Sequence, residues 1–245
     1  MKKIVLLFLL SWVTLLTSGQ VDQKSGWQYK NATYDVFVIG CDSIGAANFH
    51  TTDNTGHLDE ASFFNSLSGK GVYFAITAGI VDTGCNPAGL LVQDGHEMHP
   101  LNMGNGNGNF YLKPNGYLAM DSTGTCTIDI SEHYKDQGYM LAVQSGPMLL
   151  TNSQVNPAFD MHSKNKSIRC GVGIYREGRT AHLVFIKSLT PVSFYELTAL
   201  FKDKYKCTDA LTLESGGFCS MHLPTVQKQY GSVPGACRYL YLKLN

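Results

Sequence analysis

Short apolar runs separated by Gly, Pro, Asn and Asp dominate the chain, and only one stretch carries a clear helical period. Residues 34–39 are rich in β-branched and aromatic side chains and predict a first strand. Residues 71–77 and 89–93 predict two more, the second ending in Asp94-Gly95, a hairpin-turn dipeptide. Residues 109–113 and 117–121 flank Pro114-Asn115-Gly116 and predict another hairpin. Residues 139–144 and 148–151 read as strands interrupted by Ser145-Gly146-Pro147, where the chain must bend because Pro cannot donate to a ladder. Residues 172–175 and 180–187 flank Glu177-Gly178 as a further hairpin, and 210–213 and 239–244 supply two last strands. Residues 193–205 are the clearest helix. Phe194, Leu197, Leu200 and Phe201 share a face, Ser193 is placed as N-cap, and Glu196 follows three residues later. Residues 59–67 predict a shorter helix. Strands outnumber helices and hairpins prevail, so the expected class is α+β: a mixed, mostly antiparallel sheet system with a few packed helices.

The first residues break this pattern. Lys2 and Lys3 precede an almost unbroken apolar run over 4–16, and the small residues Thr17, Ser18 and Gly19 follow. This is the layout of a secretory signal peptide cut near Gly19, and the short Lys-Lys start is bacterial in style. The expected location is therefore periplasmic or extracellular. No later stretch approaches the length needed to cross a hydrocarbon core of about 30 Å, so no membrane span is expected. Residues 20–33 are polar and read as a loose lead-in. Residues 34–245 are long enough for one sizeable core and contain no linker or repeat, which predicts a single domain.

Composition narrows the function classes. Nineteen Lys and Arg balance nineteen Asp and Glu, and the basic residues are scattered. No continuous basic surface is offered to a phosphate backbone, so nucleic acid is excluded as a partner. Seven cysteines all lie beyond the signal peptide, where an oxidising compartment permits disulfides, and an odd number leaves at least one unpaired. Their spacings include no zinc-finger arrangement, and His96 and His99 have no third ligand nearby, so no metal or cofactor is expected.

Three segments place polar groups where a strand meets a Gly-rich turn, a geometry that exposes side chains and backbone N–H groups to a ligand. The first is 75–79, with Thr77. The second is 144–147, with Gln144, Ser145 and Gly146, followed by 163–173, with Ser163 and Arg169. The third is 213–217, with Glu214, Ser215 and Gly216. Asn105, Asn107 and Asn109 alternate with glycines; Asn109 is a candidate sugar contact, although such a run also reads as plain turn chemistry.

Taken in order, these segments resemble the phosphodiester glycosidase family. The resemblance runs from about residue 35 to residue 223. It is carried by Gly89-Leu-Leu-Val-Gln-Asp-Gly95, Pro100-Leu-Asn102, Asn107-Gly-Asn-Phe-Tyr-Leu-Lys-Pro-Asn-Gly116, Gln144-Ser-Gly-Pro-Met148, Ile168-Arg-Cys-Gly-Val-Gly173, Phe194-Tyr-Glu-Leu197 and Cys207-Thr-Asp-Ala-Leu211. The resemblance implies hydrolysis of a bond between an anomeric carbon and a phosphodiester oxygen, or of a related glycosidic bond in a surface polymer. The partner implied is a carbohydrate or sugar phosphate. Such chemistry asks for a cation that holds phosphate and a carboxylate that steadies an oxocarbenium-like centre or activates water. Arg169 and Glu214 match the family's motifs in those roles. A structural ion pair remains the alternative for Arg169, and a cap on exposed N–H groups the alternative for Glu214.

Thr77 stands where the family usually has Asn, and Leu213-Glu214-Ser215-Gly216 where it has Leu-Asp-Gly-Gly. Phe218 and Cys219 replace small residues. These departures leave two functional readings, a hydrolase retuned to a different substrate and a glycan-binding module that has lost hydrolysis. A third takes Cys219 as a nucleophile beside His222.

Overall fold

Residues 34–41 are apolar at nearly every position because both faces of their strand are covered. A computed structural model of the chain describes residues 21–43, 45, 48–53, 58–67, 70–223 and 236–243. In it, β2 (Ala32–Gly40) lies inside a seven-stranded sheet. Its neighbours are β1 (Val21–Tyr29) and β13 (Thr180–Ser188); β12 (Arg169–Glu177), β14 (Asp209–Ser215), β10 (Met148–Thr151) and β11 (Gln154–Val155) follow in order. Phe37 and Ile39 of β2, with Leu183 and Phe185 of β13, point to one face; Val36, Val38, Val184 and Ile186 point to the other. This is the period-2 alternation of strands buried on both sides.

The first of those faces packs on two smaller sheets. One has the order β15 (Met221–His222), β4 (Val72–Thr77), β16 (Arg238–Lys243) and β3 (Phe49–Asp53). The other has β6 (His96–His99), β5 (Leu91–Gln93), β9 (Leu141–Ser145), β7 (Gly116–Met120) and β8 (Cys126–Ile130). Phe74, Ile76, Leu118, Met120, Leu211, Leu213, Leu240 and Leu242 close one common core between them. The opposite face of the large sheet is covered by α2 (Phe194–Ala199) and the π-helical turn Leu200–Lys204. Gly173 lets that turn approach, since a Cβ there would lie 2.6 Å from the Phe201 ring. The helix α1 (Glu60–Leu67) covers the outer face of the four-stranded sheet through Phe63 and Phe64.

Every strand pairing among the described residues is antiparallel, and the expected mixture of directions is corrected accordingly. The α+β class holds in its coarse form, with sheets dominating. Ser193 caps α2 as expected: its hydroxyl accepts from the Glu196 N–H while the Glu196 carboxylate accepts from the Ser193 N–H. Asp94 and Gly95 turn β5 into β6 with positive φ at both positions.

Two expectations fail. Residues 21–29 are an edge strand paired with β2 and not a loose lead-in. Residues 109–113 form no strand; a 3-10 turn over Asn109–Tyr111 takes their place, and the Asn115 side chain donates to the Phe110 carbonyl at 2.7 Å. The bend expected at Ser145-Gly146-Pro147 is present, and it carries the chain from one sheet to another, since β9 and β10 belong to different sheets. The signal peptide expected over 1–19 lies outside the described residues. No helix among those described is long and apolar enough to cross a membrane.

Two disulfides bind the sheets. Cys41–Cys126 ties the turn after β2 to β8, and Cys85–Cys237 ties the 79–88 loop to the start of β16. Cys170, Cys207 and Cys219 are free and buried.

Candidate functional site

A β-bulge aims Glu214. In the β12–β14 ladder Gly171 pairs with Thr212 and Cys170 with Glu214, so Leu213 is an extra residue without a partner. The insertion reverses the alternation that began at Leu211, and Glu214 turns toward the core side with Cys170. The bulged Leu213 carbonyl is satisfied by the Ser145 hydroxyl, which donates at 3.3 Å. Arg169 and Ser215, the next pair in register, point to the opposite face.

Glu214 opens onto a cavity of about 560 Å³ lined by Thr77, Asp82, Phe218 and Arg238 together with the 79–85 loop. Burial pushes the Glu214 carboxyl up to about 7, and the Ser215 N–H, donating to it at 2.8 Å, only partly opposes this. Arg238 reaches the cavity because alternation along β16 sets it on the inner side with Leu240, while Tyr239 faces α1. Asp82 sits at the rim. Hydrogen bonds from Asn86 and Gly84 hold its carboxyl below the usual carboxylate range. One cavity therefore holds a carboxyl that titrates near neutrality, an ionised carboxylate and a guanidinium, an arrangement suited to acid/base work on an anionic substrate.

Thr77 fixes one wall. Its hydroxyl donates to the Phe218 carbonyl at 2.8 Å and accepts from the Ser220 N–H at 2.9 Å, which pins the 3-10 turn Gly216–Phe218 against the end of β4. Phe218 is held there with half of its surface exposed. The Cys85–Cys237 bridge fastens the facing loop.

The remaining expected residues lie elsewhere. Arg169 does not line the cavity: its side chain is 2% exposed, packed at 3.6 Å over the Phe194 ring on the α2 side of the sheet. Its Nε donates to the Val192 carbonyl at 2.9 Å, Nη1 to the Ser215 hydroxyl at 3.0 Å and Nη2 to the Asn165 carbonyl at 3.4 Å. Three of its five N–H donors are taken by the protein, and Arg169 stands apart from the cavity that Glu214 opens onto. Ser215 faces Arg169, and Gly216 begins the turn that carries Phe218.

Gln144 is likewise structural. Its Oε1 accepts from the Leu90 and Asn102 N–H groups, and its Nε2 donates to the Asn102 carbonyl and the Ser131 hydroxyl. All the hydrogen bonds a buried amide needs are made within the fold. Gln144→Ala leaves the buried Leu90 N–H and the half-buried Asn102 N–H without this partner and is expected to cost about 3 kcal/mol in a urea titration; a loss under 1 kcal/mol would remove the structural assignment.

Ser145 and Gly146 are buried, with Ser145 engaged as above and a Gly146 Cβ only 3.0 Å from the Phe110 carbonyl. Ser163 caps its own loop, accepting from the Asn165 N–H, and Asn109 sits in the 3-10 turn; neither lines the cavity. The nucleophile reading of Cys219 also fails. Its thiol is buried, donates to the Ile168 carbonyl and is raised well above its ordinary pKa, while His222 stacks on Phe64. A thiol held protonated is a poor nucleophile. Arg238 and Asp82 are the site residues that the sequence did not single out.

Comparison with known proteins agrees with this architecture. The phosphodiester glycosidase family model matches residues 70–235. The uncharacterized protein YigE of Escherichia coli (strain K12) is 34% identical over 145 residues, 58% of this chain and 55% of that protein, so the match spans about half of the relative. The catalytic domain of zebrafish N-acetylglucosamine-1-phosphodiester alpha-N-acetylglucosaminidase, auto-inhibited by its pro-peptide, is similar in fold, with a TM-score of 0.55 at 13% identity over 92% of this chain and 89% of that one. A hypothetical protein from Synechocystis gives 0.53 at 9% identity over 91% of this chain and 62% of that one. With a family model covering more than half of its length, this chain belongs to the phosphodiester glycosidase family.

Proposed function

We propose that the protein hydrolyses a sugar-1-phosphodiester, or a related glycosidic bond, in an exported or surface glycan. The observation that carries this reading is Glu214 opening, beside Arg238, onto a cavity large enough for a sugar ring. The ionised Glu214 takes a proton from a water that attacks the anomeric carbon, and the bond from that carbon to the phosphate oxygen breaks. The phosphate departs as a stable anion whose charge Arg238 offsets, so a strong general acid matters less than in ordinary glycosidases. Phe218 offers an apolar ring face to the sugar. Two disulfides fit an oxidising, exported location.

The test is turnover of chromogenic sugar phosphodiesters, with an N-acetylglucosamine-1-phosphodiester among them because the zebrafish neighbour is named for that linkage. Release of chromophore by the wild type is expected. Binding of the sugar phosphate without turnover would replace the hydrolase with a glycan-binding module. Phe218→Ala is expected to raise KM about tenfold while kcat is kept, the pattern of lost uniform binding; an unchanged KM would take Phe218 out of the sugar site.

A further inference from the structure

Two of the three free cysteines are neighbours. Cys170 and Cys219 belong to one core cluster, and Cys170 is among the neighbours that hold the Cys219 thiol above its ordinary pKa. The Cys219 thiol also reaches the Ile168 carbonyl at 3.5 Å, so it lies directly over the start of β12. On the other side, Cys170 is the cross-strand partner of Glu214. Cys207 is apart from them, in the cluster beneath α2. The protein already carries two disulfides, so its folding compartment supplies an oxidant for thiols.

We infer that Cys170 and Cys219 form a third disulfide in the fully oxidised protein, tying β12 to the turn that carries Phe218 into the cavity. The oxidant is a disulfide donor, either a thiol oxidoreductase or an oxidised small-molecule disulfide. One thiolate attacks a donor sulfur and gives a mixed disulfide; the second cysteine's thiolate then displaces the donor. Two thiols lose two protons and two electrons, and the donor leaves as two thiols. The exchange belongs to folding, before the core closes, because burial holds the Cys219 thiol protonated once the sheet is complete. After closure the bond is shielded from reductants by the same core. Its formation does not depend on the hydrolytic reading, since it rests on the β12–β14 ladder and the core alone.

The experiment is thiol mapping of the full chain refolded with reduced and oxidised glutathione, alkylated under denaturing, non-reducing conditions and analysed by peptide mass. Of the seven cysteines, one is expected to be alkylated, Cys207, with the peptides of Cys170 and Cys219 recovered as a linked pair. Alkylation of Cys170, Cys207 and Cys219 together would overturn the inference. The variant Cys170→Ala supplies an independent arm. Alkylated thiols are expected to rise from one to two as Cys219 becomes free, with Cys41–Cys126 and Cys85–Cys237 intact; a Cys219 still blocked in that variant would equally overturn the pairing. The wild-type map needs no variant to fold.

Discussion

Glu214→Gln is expected to lower kcat/KM on the order of 10³-fold, within the range that one general base contributes, while leaving the fold intact. The same substitution should make the protein more stable in alkaline solution. The Glu214 carboxyl has a pKa of about 7 in the folded protein against an ordinary 4.5. A carboxyl raised in this way favours the fold in its protonated form. That contribution is full below about pH 4.5, is lost as pH rises, and is gone once pH has passed through about 7. The interval corresponds to about 3 kcal/mol. Urea titrations should therefore show the variant more stable than the wild type by up to about 3 kcal/mol near pH 8, with the difference vanishing near pH 4. Wild-type kcat/KM should rise through about pH 7 and level off, because only the ionised carboxylate activates water or steadies a cationic centre. Equal stability of the two proteins across that range would mean the carboxyl is well solvated, and full activity in the variant would move the chemistry elsewhere.

Removing the disulfides should have the second largest effect. Cys41–Cys126 and Cys85–Cys237 close loops with sequence separations of 85 and 152. Loop-closure entropy assigns each about 5 kcal/mol in the chain-entropy model, a large part of the 5–15 kcal/mol that separates folded from unfolded domains. Paired Cys→Ser changes at either bridge should lower stability by about 3–5 kcal/mol, measured by urea titration. The two bridges should differ in function. Loss of Cys41–Cys126 acts on stability, and activity per folded molecule should survive. Loss of Cys85–Cys237 also frees the 79–88 loop that walls the cavity, so activity should fall at temperatures where the protein is still folded. Identical activity in the two variants would show that the loop holds its place without the bridge.

What the sequence disclosed follows from what each signal depends on. The strands buried on both faces, such as residues 34–39 and 180–187, announced themselves by continuous apolar composition, and the Ser193–Glu196 capping box by local chemistry alone. The edge strand Val21–Tyr29 did not, because one side of it faces solvent and its half-polar pattern matches no template. Glu214 was legible through family motifs, whereas the bulge at Leu213 that aims it is a register shift between distant strands. Arg169, Gln144 and Ser145 carry chemistry suited to a ligand, but a sequence does not distinguish a polar group engaged inside the fold from one left for a ligand. Arg238 passed unnoticed for the converse reason. It opens an ordinary alternating strand, and only the packing of β16 beside β4 carries it to the cavity.

A crystal structure of the Glu214→Gln protein soaked with a sugar-1-phosphodiester tests the shared cavity directly. The expected result is the phosphate within hydrogen-bonding distance of Arg238, the sugar ring against Phe218, and the anomeric carbon facing the side chain at position 214. Ligand seated on the α2 side beside Arg169, or anywhere outside the space bounded by Thr77, Asp82 and Arg238, would contradict the account.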